Sequence, residues 1–498
     1  MQIVSSTFIA FAVLAFILAR GPYRGLLFFF AVTPMGAMAA INLPALGGTS
    51  ITVIDVTVAG LFGLVLLGRD APTSSLLRPF LPGTPGGYLL LFLVYAAVAS
   101  AFLPRIFAGD SLVFGIGRGA NDDGIALTPL GPGNGNLSQM YRLILGLMIF
   151  SVTAALIRRR PDPAHVLKLM VVATTVNVAL GLFDILSYAA GLEALMDTFR
   201  TANYSMAIGH HMAGMKRMVG GFPEASAFGY YSIGVMGFWI SYWFSTRSGG
   251  RLVPLMLLIS IFVVLRSTSS STYVATLAFC GIFAFFNMTG SLGQLITRRG
   301  ATLLVTFLGL VPLVIYGLYL SYEMLPGFQS FVDRSLLDKM ATDSGQERMS
   351  WNTQAIQNMI DTNYLGTGLG SMRASSWLFA CLASTGIIGT LLLLAFLAKF
   401  FLMRTRGSDP DRDERAHLAR AFKYGCVAQL LSAMLSQPTP NLDSFFFAMA
   451  GLAFGLSSVG RQTVATSEAA GTPPFMLQRG MRHAMVAPAG AQRDVSGQ

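Results

Sequence analysis

In the stretch KRMVGGFPEASAFGYYS, Lys216 to Ser232, two adjacent cations, two glycines, a proline and one glutamate stand at the start of an apolar segment that runs to Phe244. A guanidinium such as that of Arg217 binds phosphate through two parallel hydrogen bonds and keeps its charge beside lipid. Gly220 and Gly221 permit a close backbone turn, and Pro223 starts the apolar segment. Glu224 then supplies a carboxylate beside an anion site, able to accept a proton from a hydroxyl. Its structural reading is an acidic residue favoured by the dipole at a helix start. Arg266 closes a second apolar run, LVPLMLLISIFVVLR, and is followed at once by STSSST and another apolar run. That spacing predicts a tight hairpin with a guanidinium and a row of hydroxyls at membrane level, which suits an anion. The structural reading is an arginine snorkelling over serine caps.

A third group lies further along. Ser344 and Glu347 in SGQE form a capping box for a helix over roughly Gly345 to Ile360, with Trp351, Ala355, Ile356, Met359 and Ile360 grouped on one side. Such a helix lies at a membrane interface with Trp351 as its anchor. Arg348 falls in its first turn, where the dipole disfavours a cation, so an anionic partner is expected, whether a ligand or Glu347 or Asp343. The chain continues YLGTGLGSMRASSWLF, Tyr364 to Phe379. Here Gly366, Gly368 and Gly370 can turn backbone N–H groups inward, Arg373 adds charge, and Ser375 or Ser376 caps the next helix, an arrangement that binds phosphate in many proteins. His210 and His211 lie near the first group, whereas His165, His417 and His483 fall in other connections.

The elements that must hold these groups are membrane helices. The chain has 498 residues, 53% of them hydrophobic and 11% charged, and apolar runs of spanning length recur along most of it. The hydrocarbon core takes about 20 mostly apolar residues per helix, and a helix satisfies its own backbone there. The runs are apolar all round rather than alternating, so the expected fold is all-α: a polytopic helical membrane protein with about 12–13 transmembrane helices. They are placed at 3–19, 25–43, 51–67, 87–103, 139–157, 166–189, 226–244, 252–265, 272–288, 301–320, 376–402, 424–437 and 443–459. The first lacks a basic leader and a small-residue cleavage site and is read as a retained helix.

Alternate connections separate by charge. One set holds Arg20 and Arg24; Arg69 and Arg78; Arg158, Arg159, Arg160 and Lys168; Arg247 and Arg251; Arg298 and Arg299; and the run Arg404, Arg406, Arg412, Arg415, Arg420, Lys423. That set reads as cytoplasmic, with the tail after Arg461. A net charge of +11 would point to nucleic acid in a soluble protein, but in a membrane protein most excess Lys and Arg belongs to such loops, and no nucleic-acid partner is expected. The other set contains the long connections Pro104–Ser138, Gly191–Ala225 and Ser321–Ser375, and holds Arg105, Arg118, Arg142, Arg200, Lys216, Arg217, Arg266, Arg334, Lys339, Arg348 and Arg373 against the expected bias. An ionisable group at a membrane mouth is by default a functional candidate. The alternative is pairing with outer carboxylates such as Asp333, Asp338 or Glu347.

Four regions follow: N-terminal helices over 1–190, a site-bearing membrane region over 191–402 with outer loops 191–225 and 321–375, C-terminal helices over 403–460, and a tail over 461–498 expected to be disordered. Cys280, Cys381 and Cys426 lie inside apolar runs and read as core residues. No GxxxxGK[ST], HExxH or GxSxG pattern occurs.

Taken in order, Arg217 with GGFPEAS, the RSTSSST hairpin, and ERMSWNTQAIQ followed by YLGTGLGSMRASSWLFACLASTGIIG resemble the O-antigen ligase/polymerase family of bacterial membrane glycosyltransferases. The likeness covers roughly Arg200 to Phe400. It implies a metal-independent, cofactor-free transferase in the bacterial inner membrane, moving a glycan from an undecaprenyl-diphosphate carrier to an acceptor hydroxyl at the periplasmic face. Membrane lipids are the other partner, and for a polymerase a chain-length regulator. Diphosphate binding would fall to Arg217, Arg266, Arg348, Arg373, Gly368, Gly370 and Ser375, with Arg217 and Arg266 acting in catalysis. Glu224, or an outer histidine such as His211, would take the proton. Ligases of this family carry His-Asn where this chain has Ser375-Ser376, which favours a polymerase of exopolysaccharide or O-antigen over a ligase to lipid A core. A transporter or flippase of lipid-linked sugars would bury ionisable groups near mid-membrane and often show repeated halves. Asp55, Asp184 and Asp443 are the acidic residues in or beside the apolar runs, and no internal repeat is present.

Overall fold

The computed structural model describes residues 2–44, 49–68, 74–116, 125–204, 206–212, 214–246, 250–289, 305, 309, 313, 316–333, 343–403 and 414–469. In chain order the helices are α1 (Ser6–Val32), α2 (Val53–Leu67), α3 (Ser74–Leu77), α4 (Pro85–Ile106), α5 (Asn134–Arg159), α6 (Pro163–Ala189), α7 (Ala225–Ser245), α8 (Leu252–Arg266), α9 (Ser270–Thr289), α10 (Pro326–Val332), α11 (Asp343–Asp361), α12 (Trp377–Leu402), α13 (Glu414–Ser436) and α14 (Asp443–Ala469). The expected span at 301–320 falls largely outside the described residues, as do Arg69, Arg118, Arg247, Arg298, Arg299, Arg334, Asp338, Lys339, Arg404, Arg406, Arg412 and the tail beyond residue 469. Residues 461–469, expected in that tail, continue α14.

Among the described residues six helices have the length and apolar character of a membrane span: α4, α5, α6, α12, α9 over Ser270–Asn287 and, counted across its break at Gly21, α1. Val53–Leu67, Leu252–Arg266 and Asp443–Ser458 are apolar but shorter. The chain is thus a helical membrane protein. Helices α7 and α13, 21 and 23 residues long, are diluted by Ser, Tyr and Gly and, in α13, by charge, which separates them from the six.

Helix α1 is a hairpin. A straight helix of its 27 residues would reach about 40 Å, whereas the chain from Val32 to Ala39 covers at most roughly 25 Å. Yet the Ser6 hydroxyl donates to the Ala39 carbonyl at 2.5 Å. The fold-back is at Gly21, whose φ of 77° and ψ of 167° break the helix in front of Pro22. A methyl group built on Gly25 would touch Ile17 across the turn. The two limbs overlap the first two expected spans, 3–19 and 25–43, with Arg20 and Arg24 at the bend, but the second stops at Val32 and the last residues expected in it, Ala39–Leu43, form a strand instead. Tyr23, in that bend, stacks on His165 with ring centroids 4.2 Å apart and donates to the Arg160 carbonyl at 3.2 Å. Two of the basic connections therefore share one end of the bundle.

The opposite end carries what an all-α expectation omitted. Short antiparallel strands form three small sheets: β1 (Gln2–Ile3), β2 (Ala39–Leu43) and β3 (Thr49–Thr52) in the order β1-β2-β3; β4 (Leu112–Ile116) with β5 (Ile125–Pro129); and β6 (His211–Met212) with β7 (Met215–Lys216). Backbone bonds weld these loops together: Ala37 N–H to Gly221 O at 2.8 Å, Ala202 N–H to Ala37 O at 3.1 Å, Arg373 N–H to Phe114 O at 2.9 Å and Ala374 N–H to Pro438 O at 3.3 Å. Below them an aromatic core fills the bundle, with Phe150 edge-on to Phe396 at 6.2 Å and Phe238 against Phe422 at 4.8 Å. Cys381 and Cys426 are buried there and Cys280 is half-buried, all three as free thiols.

Candidate functional site

The loop that carries Arg217 is held by a carboxylate. Asp184, on the last turns of α6, is 0% exposed and accepts Arg200 Nη2 at 2.7 Å, Lys216 Nζ, and the N–H groups of Val219 at 2.8 Å and Gly220 at 3.1 Å. Arg200 also donates to the Gly220 carbonyl through Nε and Nη2. Two cations that stood on the unexpected side therefore have a buried structural partner. Lys216 further lies 5.0 Å from the Tyr188 ring centre, and its carbonyl accepts Arg266 Nη1 at 3.0 Å.

Arg217 is treated differently. Its backbone N–H donates to His210 O at 3.2 Å, but its Nε is buried and has no hydrogen-bond partner among the described residues. The same holds for Nε of Arg373. Burial holds the Arg217 guanidinium below its ordinary pKa, Glu224 works to raise it, and Arg348 lowers it. Arg373 is lowered by burial, raised by Glu224 and lowered by Arg142. Glu224 thus lies within electrostatic reach of two buried arginines brought from loops some 150 residues apart, with Arg348 flanking one and Arg142 the other. Arg217 and Arg266 both reach Tyr273, at the start of α9, whose hydroxyl donates to Leu265 O at 2.6 Å.

Glu224 is the N-cap residue of α7, as its position before an apolar run predicts, but its side chain makes no capping bond. Its carboxylate instead accepts the Ser226 hydroxyl. The carboxylate stands at the helix start, where the dipole favours it, and within electrostatic reach of the two arginines.

The glycine-rich segment differs from its expected role. Gly366, Gly368 and Gly370 all take positive φ, 93°, 87° and 88°. The N–H groups of the first two and of their neighbours serve the fold: Gly366 donates to Thr362 Oγ1, Thr367 to Ala383 O at 2.8 Å, Gly368 to Ser384 O at 2.9 Å and Leu369 to Ser100 Oγ at 3.1 Å. Helix α12 breaks at Gly386, φ 61°, which frees those two helix carbonyls, and the loop caps them. Gly368 therefore does not offer its N–H to a phosphate, as the loop reading required. Gly370 is needed because a Cβ there would meet the Gly135 carbonyl. Ser375 is buried, with its N–H on Asn352 Oδ1 at 2.8 Å, and Ser376 is the N-cap of α12 without a side-chain cap bond. The segment's contribution to the site is the position of Arg373.

His211 is exposed on β6, and its Nε2 lies 2.9 Å from the Tyr188 hydroxyl. The imidazole is thereby engaged with Tyr188. Helix α11 begins at Asp343, two residues before the expected start and with Ser344 inside it, so the capping box at Ser344 does not describe its beginning. Trp351 is half-buried, its ring centre 6.3 Å from that of Phe114, and Ala355 is buried, while Ile356 and Ile360 are exposed. The grouping of all five apolar residues on one side fails because 100° per residue puts Ile356 and Ile360 a quarter-turn or more from Trp351 and Ala355. Sequence reading singled out neither Asp184 as the loop's anchor nor Arg142 and Tyr273 as members of the site. For Arg142 the signal was present: it is the only cation in the first two-thirds of the α5 sequence. The chain matches no protein-family model and no curated protein at significant similarity.

Proposed function

We propose that the chain is a polysaccharide polymerase: a glycosyltransferase that moves glycan repeat units from an undecaprenyl-diphosphate carrier to an acceptor sugar hydroxyl, in exopolysaccharide or O-antigen synthesis. In this reading about 12–13 helices cross the bacterial inner membrane and the site faces the periplasm. The observation that carries it is the pair of buried guanidiniums, Arg217 and Arg373, whose Nε atoms lack partners among the described residues while both lie within electrostatic reach of one carboxylate, Glu224. A buried donor without an acceptor is costly, and a diphosphate supplies the acceptors. The ordered likeness of three segments to the ligase/polymerase family points the same way.

The acceptor hydroxyl oxygen attacks the anomeric carbon, the bond from that carbon to the diphosphate oxygen breaks, and the electron pair leaves on the diphosphate. Arg217, Arg348 and Arg373 stabilise the charge that develops there. Glu224 takes the hydroxyl proton, and the Ser226 hydroxyl holds its carboxylate in place. Serine at 375 and 376 leaves no imidazole at the position where ligases of the family carry one, so lengthening rather than transfer to a lipid core is expected.

The test uses purified protein in nanodiscs with undecaprenyl-diphosphate-linked repeat units, following glycan length on a gel for wild type, Arg217→Ala and Glu224→Ala. A ladder from wild type that disappears in the folded arginine variant supports the reading. Transfer to an added lipid A core without lengthening would make the protein a ligase, and neither product would turn the assignment toward transport of lipid-linked sugars.

A further inference from the structure

Helix α11 divides its surface three ways. Trp351, Ala355, Asn358 and Thr362 face the protein, half-buried or buried. Glu347, Ser350 and Gln357 are exposed and polar. Met349, Ile356 and Ile360, at i, i+7 and i+11, make a separate stripe that is 50%, 42% and 47% exposed. At 100° per residue these stripes do not overlap. Two faces are what a helix needs between protein and water; the third, apolar and exposed, needs another medium.

The surroundings identify that medium. Just past α11 the exposed Tyr364 and Leu365 bind the two neighbouring membrane-length helices: Leu365 O accepts the Tyr95 hydroxyl of α4 at 3.3 Å, and Tyr364 O accepts the Ile387 N–H of α12 at 3.0 Å. Both helices turn apolar residues outward, Val94, Val98 and Phe102 on α4 and Ile387, Ile388 and Leu391 on α12. Helix α11 thus ends against two helices of membrane length with exposed apolar outer faces. Arg348, half-buried, falls on the wheel between the apolar stripe and the protein-facing one.

We propose that α11 is a bilayer-surface helix whose stripe of Met349, Ile356 and Ile360 rests in the headgroup layer of the membrane, and that this contact sets the height at which Arg348 meets the phosphates of a lipid embedded in the same leaflet. The second half rests on the diphosphate reading of the site; the first does not. Lipid contact passes from Trp351, the anchor expected from sequence, to residues on the other flank.

A photoreactive benzoylphenylalanine placed at position 356 or 360 in the full chain, in nanodiscs of phosphatidylethanolamine and phosphatidylglycerol, yields phospholipid adducts on irradiation, while the same group at 350 or 357 does not. Adducts to a second copy of the chain at 356 and 360, or equal lipid labelling at 357, overturn the proposal. For the second half, Ile356→Asp with Ile360→Asp lowers binding of undecaprenyl diphosphate about tenfold while inorganic pyrophosphate binding stays within about twofold of wild type. Equal losses for both ligands, or no loss for either, overturn it. A wild type that cannot bind pyrophosphate sinks the diphosphate site itself and leaves the adduct result standing.

Discussion

Replacing Asp184 by Asn tests how the site is held. The carboxylate is fully buried and receives Arg200, Lys216 and two backbone N–H groups, while the Arg200 and Lys216 side chains are themselves only 6% and 8% exposed. Water therefore cannot take over as counter-ion. Removing one partner of a buried ion pair costs about 3–5 kcal/mol, because the surviving charge is left uncompensated. Asn keeps the shape and one acceptor oxygen, so the lower end, about 3 kcal/mol, is expected. At an unfolding entropy of about 2.1 cal/mol/K per residue, that corresponds over a chain of 498 residues to a fall in unfolding midpoint of about 3 °C, followed by intrinsic fluorescence in nanodiscs. Adding Lys216→Met to Asp184→Asn removes the stranded ammonium and should recover about 1–2 kcal/mol, so the double variant is more stable than the sum of the singles allows. Pyrophosphate binding should weaken in Asp184→Asn although that side chain touches no ligand, because the one oxygen Asn keeps cannot serve both the two cations and the Val219 and Gly220 N–H groups that fix the Arg217 loop. An Asp184→Asn protein as stable as wild type, or a double variant whose loss equals the sum, would refute the proposed coupling.

Arg373→Ala should lower transfer about 100-fold, and Arg373→Lys should restore little of it, since an ammonium lacks the planar fork; steady-state rates on the lipid-linked donor decide this. Gly370→Ala places a Cβ against the Gly135 carbonyl at a φ of 88° and should destabilise the fold by about 2 kcal/mol or more, read by thermal unfolding. His211→Gln, at an exposed ring bonded to Tyr188, should leave the transfer rate within about twofold of wild type, and a larger loss would return the imidazole to the site. Gln429, buried on α13 against Gly234 with neither amide atom partnered among the described residues, should stabilise the protein by about 1 kcal/mol on replacement by Leu, measured in the same unfolding assay.

What the sequence made legible follows from what repeats. The α5, α6 and α12 segments show as long apolar runs, and even the hairpin of α1 shows, because Arg20, Gly21, Pro22 and Arg24 interrupt its apolar character at one point. The alternation of basic connections likewise separated one end of the bundle from the other, and Tyr23 meeting Arg160 agrees with it. Arg217, Glu224 and Arg373 stood out because charge beside an apolar run is rare. The small sheets were not legible, since strands as short as Met215–Lys216 have no period to read and exist only because the loops press on each other. Nor was the fate of each glycine N–H: three glycines in alternation signal positive φ, but whether a freed N–H meets a phosphate or the Ser384 carbonyl depends on a helix break that Gly386 makes from the far side.

The contrast between two carboxylates says why cations gather at this end. Asp184 is occupied by two cations and two N–H groups, leaving none of its oxygens for a substrate. Around Glu224 the balance runs the other way: Arg217 and Arg373 both feel its charge, with Arg348 beside the first and Arg142 beside the second, so among the described residues guanidiniums outnumber the carboxylate they share. Such an excess is unfavourable in a site lined by lipid-facing helices unless an anion completes it. A diphosphate diester carries two negative charges, and the diphosphate monoester left when the glycosyl bond breaks carries up to three. On the proposed function the guanidiniums therefore hold the leaving group more strongly than the bound donor, which is the difference a catalyst needs, since only interactions that strengthen toward the transition state accelerate the reaction.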